Sequence, residues 1–140
     1  MARILSIDYG KKRTGIAVTD PLQMIANGLV TVPTHELMSW LEEYIRKEPV
    51  ELLVVGEPRQ PNGQPSENLQ RVRQFVAMWK KSRPEIPVAF VDERYTSVMA
   101  HQAMIAGGLK KKARQDKALV DEISATIILQ SYLESRKHNQ

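Results

Sequence analysis

The chain has 140 residues, of which 42% are hydrophobic and 26% charged, and it carries a net charge of +4 with no cysteine. This length and composition suit a single folded domain over residues 1–140, while the lack of cysteine excludes disulfide bonds and thiolate metal sites. The positive charge mildly favours a polyanionic partner such as nucleic acid.

The sequence gives no sign of a membrane segment or an export signal. No stretch approaches the roughly 18 apolar residues that a membrane-spanning helix needs. Asp8 interrupts the N-terminal apolar run within a few residues, which argues against a signal peptide. We therefore expect a cytoplasmic protein that does not contact membranes.

The N-terminal part predicts three β-strands joined by short connections. Ile4 to Ile7 is an apolar run that ends at Asp8, Thr14 to Val18 is a second run, and Gly28 to Val32 is a third. Strands this close in sequence form an antiparallel meander. The first connection is the basic turn, which consists of Lys11, Lys12 and Arg13.

Two helices are predicted in the middle of the chain. Thr34 is a suitable N-cap for a helix whose apolar face lies within residues 37–45. Ser66 is a suitable N-cap for a second helix, with its apolar face within residues 69–79.

Two more strands and two more helices complete the chain. The unbroken apolar runs Leu52 to Val55 and Val88 to Val91 are typical of buried strands. Helices are predicted from about Thr96 to Ala106 and from about Lys117 to Arg136. The apolar side of the last helix is expected to comprise Leu119, Val120, Ile123, Ile127, Ile128 and Tyr132.

This order of elements, β-β-β-α-β-α-β-α-α, predicts an α/β fold with a mixed five-stranded sheet. Strands one, four and five are expected to be parallel, and right-handed crossovers then place helices on both faces. In such a sheet, sites form beyond the carboxyl ends of the parallel strands. These ends share one edge of the sheet.

Acidic residues stand at this edge. Asp8 ends the first strand, Glu57 follows the fourth, and Glu93 follows the fifth. On the last helix, small residues one turn after Asp121 allow a close approach to the sheet, whereas Glu122 is expected to face solvent. Asp8, Glu93 and Asp121 are therefore predicted to form a cluster of carboxylates.

Like charges in such a cluster cannot all stay ionised without compensation. Mg²⁺ or Mn²⁺ supplies it, because hard cations prefer oxygen ligands. Two such ions about 4 Å apart can clamp the attacking and leaving oxygens of a phosphodiester displacement. The pattern thus predicts a metal-dependent nuclease whose catalytic and metal-binding residues are Asp8, Glu93 and Asp121, with Glu57 as a further candidate ligand.

Each acid also has an ordinary structural explanation. Glu93 or Asp121, taken alone, could be a surface residue. Asp8 could be a strand-end acid paired with a nearby base: Lys12, Arg13 or Arg94.

Four motifs follow one another along nearly the whole chain: Ile7-Asp8-Tyr9-Gly10 with Gly15 to Val18, Val54 to Pro58, Asp92 to Ser97, and Val120-Asp121 with Ser124-Ala125 and Ile127-Ile128-Leu129. Together they resemble the YqgF/RuvX family of Holliday junction resolvase-like proteins. The resemblance implies a ribonuclease-H-like fold and a metal-dependent nuclease that trims the 5′ end of precursor 16S ribosomal RNA. It also implies the acidic triad of Asp8, Glu93 and Asp121, while the family more often has an apolar residue where Glu57 stands.

Basic residues gain a possible role from this resemblance. They could neutralise backbone phosphates beside the site, which sets affinity without reading sequence. For the segment over residues 107–117, a mobile solvated loop is the alternative. The candidate nucleic-acid-binding residues are Lys11, Lys12, Arg13, Arg94, Lys110, Lys111, Lys112, Arg114 and Lys117.

Three functions remain open at this point. The first is cleavage of precursor ribosomal RNA by a monomer or weak homodimer. The second is resolution of a four-way DNA junction by the same chemistry, which requires two active sites and therefore a dimer. The third is a basic nucleic-acid-binding module that does not cleave. An actin-like ATPase fits less well, because the chain is too short for the duplicated domain of those enzymes.

Overall fold

A computed structural model describes residues 2–58, 62, 66–92 and 117–138. Within them, one five-stranded sheet has the strand order β3-β2-β1-β4-β5. The strands are β1 (Arg3–Tyr9), β2 (Arg13–Thr19), β3 (Ala26–Pro33), β4 (Val50–Glu57) and β5 (Val88–Asp92). The helices are a short 3-10 helix (Thr34–Glu36), α1 (Leu37–Lys47), α2 (Leu69–Ser82) and α3 (Lys117–His138). The helix predicted over residues 96–106 lies outside the described residues.

The sheet is mixed, as the sequence predicts. β1 pairs antiparallel with β2, and β2 pairs antiparallel with β3. β1 pairs parallel with β4, and β4 pairs parallel with β5. Consequently β1, β4 and β5 end at one edge of the sheet, and β2 begins at that same edge.

Each face of the sheet is covered by helices. On one face, Leu5 and Ile7 of β1 belong to a buried cluster with residues of α1 and α2, including the fully buried Trp79. On the other face, Ile4 of β1 lies in a second cluster with Ile128 and other residues of α3. The predicted α/β arrangement with helices on both faces is therefore confirmed.

Both predicted helix caps are wrong. Thr34 lies in the 3-10 helix that precedes α1, and its hydroxyl donates to the carbonyl oxygen of Gly10 at 2.7 Å instead of capping a helix. The N-cap of α2 is Asn68 rather than Ser66. In both cases tertiary or backbone hydrogen bonds form the turn before the helix. The preference of Ser and Thr for N-cap positions does not predict such contacts.

The buried side of α3 also differs from the predicted one. Ile128 is buried as expected, whereas Leu119, Val120, Ile123 and Ile127 are only partly buried. The residues that face the sheet most closely are Ser124, Ala125, Ile128, Leu129 and Leu133. Because apolar residues surround this helix on several sides, periodicity alone could not identify the contact face.

In the described ranges, no helix has the length and apolarity that crossing a bilayer requires.

Candidate functional site

Asp8 and Asp121 lie on the same face of the sheet. The Ser6 hydroxyl donates to the carbonyl oxygen of Ala125 on α3 at 2.7 Å. Asp8 is two residues further along β1 and therefore points to the same face, and Asp121 is one helical turn before Ala125. The two acids are thus positioned at the same end of the β1–α3 contact.

Gly15 sets how closely α3 approaches at this point. Gly15 pairs with Asp8 across the β1–β2 ladder, so the two residues share a face. A Cβ atom built on Gly15 would lie 2.0 Å from the backbone oxygen of Asp121. Only glycine therefore leaves room for the backbone of α3 beside β2. This close approach places Asp121 next to β2, the strand that pairs with β1 at Asp8.

Arg13 forms an ion pair with Asp121. The Nε atom of Arg13 donates to Oδ2 of Asp121 at 2.8 Å, and the side chains are 41% and 22% exposed, respectively. Burial raises the pKa of Asp121 above its ordinary value of 3.8, while the hydrogen bond and charge of Arg13 and the charge of Lys117 act in the opposite direction. Burial is the largest of these effects, so the ionised form of Asp121 depends on positive charge nearby.

The donor set at this edge suits a hard divalent cation. Asp8 and Asp121 supply carboxylate oxygens from a strand end and a helix on one face, which are the ligands that Mg²⁺ and Mn²⁺ prefer. Among the described residues, no group of three histidine, aspartate or glutamate side chains is close enough to hold a metal ion. Glu93, the third predicted ligand, lies outside the described residues.

The structure does not bring Glu57 to the face of Asp8 and Asp121. Val55 of β4 packs in the core beneath α1 and α2, and side chains alternate along the strand. Glu57, two residues later, therefore points toward the α1 and α2 face and pairs in register with Asp92 of β5.

The basic turn borders the two acids. The backbone N–H of Thr34 donates to the carbonyl oxygen of Lys12 at 2.9 Å, which fixes the turn against the 3-10 helix. The side chains of Lys11 and Lys12 are exposed, and Lys117 begins α3 close enough to Asp121 to affect its pKa. Other predicted nucleic-acid-binding residues lie outside the described residues: Arg94, Lys110, Lys111, Lys112 and Arg114.

Two supporting residues were missed by the sequence analysis. Asn68 donates from Nδ2 to the carbonyl oxygen of Tyr9 at 2.6 Å and so fixes the end of β1 next to Asp8. Gly15 gave a usable signal, because a glycine inside a strand often marks a close backbone approach. Asn68 gave none, since its partner is 59 residues away.

The sequence matches the family described as "RuvX: Holliday junction resolvase" over residues 2–135. A protein of Phocaeicola vulgatus named "Putative pre-16S rRNA nuclease" is 67% identical over 99% of each chain. Proteins of the same name from Bacteroides thetaiotaomicron and Parabacteroides distasonis are each 62% identical, over 98% and 99% of this chain and 99% of their own.

Similarity to solved structures is weaker. YeaZ from Pseudomonas aeruginosa matches 77% of this chain and 50% of its own length, with 14% identity and a TM-score of 0.44. The assignment therefore rests on the sequence matches, which extend over nearly the full length at high identity. The chain belongs to the RuvX family, whose fold is ribonuclease-H-like.

Proposed function

We propose that this protein is a metal-dependent nuclease that hydrolyses phosphodiester bonds in RNA, with the 5′ region of precursor 16S ribosomal RNA as its substrate. The observation that carries the proposal is the placement of Asp8 and Asp121 on one face of the sheet, at the edge where the parallel strands end. The names of the closely similar proteins support the same substrate. We place this activity in the cytoplasm.

Asp8, Asp121 and Glu93 are the residues that would hold Mg²⁺ or Mn²⁺. Glu93 directly follows Asp92, the last described residue of β5. When bound, such an ion lowers the pKa of a coordinated water and stabilises charge on the departing oxygen. The contribution of the protein is to fix the carboxylates on rigid elements, with Asp8 held by β1 and Asp121 held by the contact between α3 and Gly15.

The lysines around these acids would bind the substrate backbone. Lys11 and Lys12 project from a turn that is fixed by Thr34, and Lys117 lies at the start of α3. Positive side chains of this kind bind phosphates and release counterions, so binding weakens steeply as salt rises. They orient the RNA chain across the acids without selecting its sequence.

The test is cleavage of a precursor 16S RNA with an extended 5′ end, in Mg²⁺ or Mn²⁺ and in excess chelator. We expect cleavage only with metal, and a loss of cleavage rate on the order of 100-fold or more in Asp8→Asn. Mutation of a residue that merely supports a metal ligand already lowers metal affinity or activity about 10–100-fold, and loss of a ligand itself should lower it at least as much. Asp20→Asn is the matched control, because Asp20 follows β2 at the opposite end of the sheet and should leave cleavage unchanged. Full activity of Asp8→Asn, or cleavage in chelator, would contradict the proposal.

Resolution of a four-way DNA junction is the second candidate, favoured by the description of the family. The same acids could perform that reaction, but two opposed strands must be cut by two active sites. The junction assay should therefore be combined with sedimentation in the presence of the junction. Symmetric junction cleavage by a dimer, without cleavage of the RNA, would replace the first proposal with the second, whereas the RNA proposal predicts a monomer or weak homodimer.

A further inference from the structure

The ion pair between Arg13 and Asp121 places a guanidinium group on a proposed metal ligand. Nε of Arg13 lies 2.8 Å from Oδ2 of Asp121, so one of the two carboxylate oxygens already has a positively charged partner. We propose that Arg13 and a divalent cation compete for the carboxylate of Asp121, so that Arg13 sets the metal affinity of the site. This inference rests on the proposed function, because it takes Asp121 as a metal ligand.

Arg13 can leave Asp121 without disturbing the fold. Its backbone is fixed as the first residue of β2, paired in register with Pro33. Its side chain is 41% exposed, whereas that of Asp121 is only 22% exposed, so the guanidinium can rotate into solvent while the carboxylate stays in place. In the exchange the divalent cation supplies the positive charge that the ionised form of Asp121 requires, so this partly buried carboxylate is not left without a cationic partner.

The charges favour an exchange over simultaneous binding. Asp121 lies near Arg13 and Lys117, and Asp8 lies on the same face of the sheet. A divalent cation on Asp121 would repel a guanidinium that stayed in contact with the same carboxylate. Once displaced, Arg13 remains next to Lys11 and Lys12 in the basic turn, where its planar group suits a phosphate.

The experiment is calorimetric titration of the folded protein with Mn²⁺ in the absence of RNA. Arg13→Gln should bind Mn²⁺ about threefold to tenfold more tightly than the natural protein, since an exchange worth up to 1.4 kcal/mol changes affinity up to tenfold. Arg13→Lys keeps the charge but lacks the planar guanidinium group, so its affinity for Mn²⁺ should lie between those of the natural protein and Arg13→Gln. Lys12→Gln removes an equal charge from the same turn without a contact to Asp121, and it should change Mn²⁺ affinity less than Arg13→Gln.

The Asp121→Asn background separates competition from general electrostatics. There, adding Arg13→Gln should no longer tighten Mn²⁺ binding, because the shared carboxylate is gone. Equal or weaker Mn²⁺ binding by Arg13→Gln in the otherwise natural chain would overturn the inference. The titration measures metal affinity and not cleavage. The competition between Arg13 and the cation can therefore be disproved even if the protein cleaves RNA, and the titration still tests that competition if the protein does not cleave RNA.

Discussion

Gly15 lies so close to Asp121 that a single added carbon would fall 2.0 Å from the backbone oxygen of Asp121. The contact joins the strand next to Asp8 to the helix that carries the second acid. Helix backbone cannot yield as a flexible side chain can, so this distance is a constraint on the position of the whole N-terminal part of α3. The geometry of the candidate site therefore depends on the absence of a side chain at this position.

We predict that Gly15→Ala displaces α3 from the sheet. Overpacking of this kind typically costs about 1–3 kcal/mol in the free energy of unfolding, and RNA cleavage should fall because Asp121 moves. Gly28→Ala is the matched control: its new Cβ would lie 2.7 Å from Oε1 and 2.9 Å from Cγ of Glu122 and 3.2 Å from Oγ1 of Thr126, all side-chain atoms that can shift more readily than helix backbone. Urea denaturation and cleavage assays should show the larger loss in Gly15→Ala, and equal effects of the two variants would contradict the argument.

Asn68→Ala tests how the end of β1 is held. The substitution removes the 2.6 Å hydrogen bond to the carbonyl oxygen of Tyr9, the residue after Asp8. We expect a loss of about 1 kcal/mol in the free energy of unfolding, together with slower cleavage. Gln70→Ala, an exposed position on the same helix, should change neither. If Asn68→Ala cleaves RNA at the same rate as the natural protein, the position of Asp8 does not depend on this hydrogen bond.

Trp79→Phe tests the core beneath α1 and α2, far from the acids. Trp79 is fully buried and donates from Nε1 to the carbonyl oxygen of Ile86 at 3.2 Å. The smaller ring leaves a cavity and an unpaired carbonyl, so we expect a loss of about 2 kcal/mol or more in the free energy of unfolding. Trp40→Phe, at a partly buried position, should cost clearly less. Cleavage per folded molecule should be unchanged in both variants.

Asp20 gives the protein a stability that depends on pH. Its carboxylate accepts backbone N–H groups of Leu22, Met24 and Ile25, and the hydrogen bonds to Ile25 and Met24 are the main reason that its pKa lies below the ordinary value of 3.8. Because the folded state binds this proton less readily than the unfolded state, the stabilisation is complete above pH 3.8 and is lost as the pH falls through the lowered pKa.

Asp20→Asn isolates this effect, because the amide oxygen can still accept hydrogen bonds while the charge is absent. Urea denaturation of both proteins should show a stability advantage of the natural chain at pH 7 that shrinks below pH 3.8. An advantage of the same size at both pH values would mean that the charge of Asp20 makes no contribution.

The sequence predicts the sheet well because the signals for it are local. The uninterrupted apolar run of β4 identifies a buried parallel strand, and short connections identify the β1–β2–β3 meander. From these elements the topology places Asp8 at the edge where a site forms. The shared face of Asp8 and Asp121 follows from strand alternation and from the small residues of α3.

Contacts between distant parts of the chain could not be predicted in the same way. Arg13 and Asp121 are 108 residues apart in sequence, and no local pattern predicts that the guanidinium binds this acid. Glu122 was expected in solvent, yet its side chain lies against Gly28 on β3. Both outcomes depend on the rotation of α3 about its axis, which a helix with apolar residues on several sides leaves undetermined.

The most direct test of the account is a double-mutant cycle on RNA cleavage with Asp8→Asn, Asp121→Asn and the combination, measured in single-turnover assays with Mn²⁺. Residues that act as one unit give strongly non-additive losses. We predict that each single variant loses cleavage on the order of 100-fold or more, and that the double variant is no slower than the slower single one. Losses that multiply in the double variant would show that the two acids act independently and would contradict a shared site.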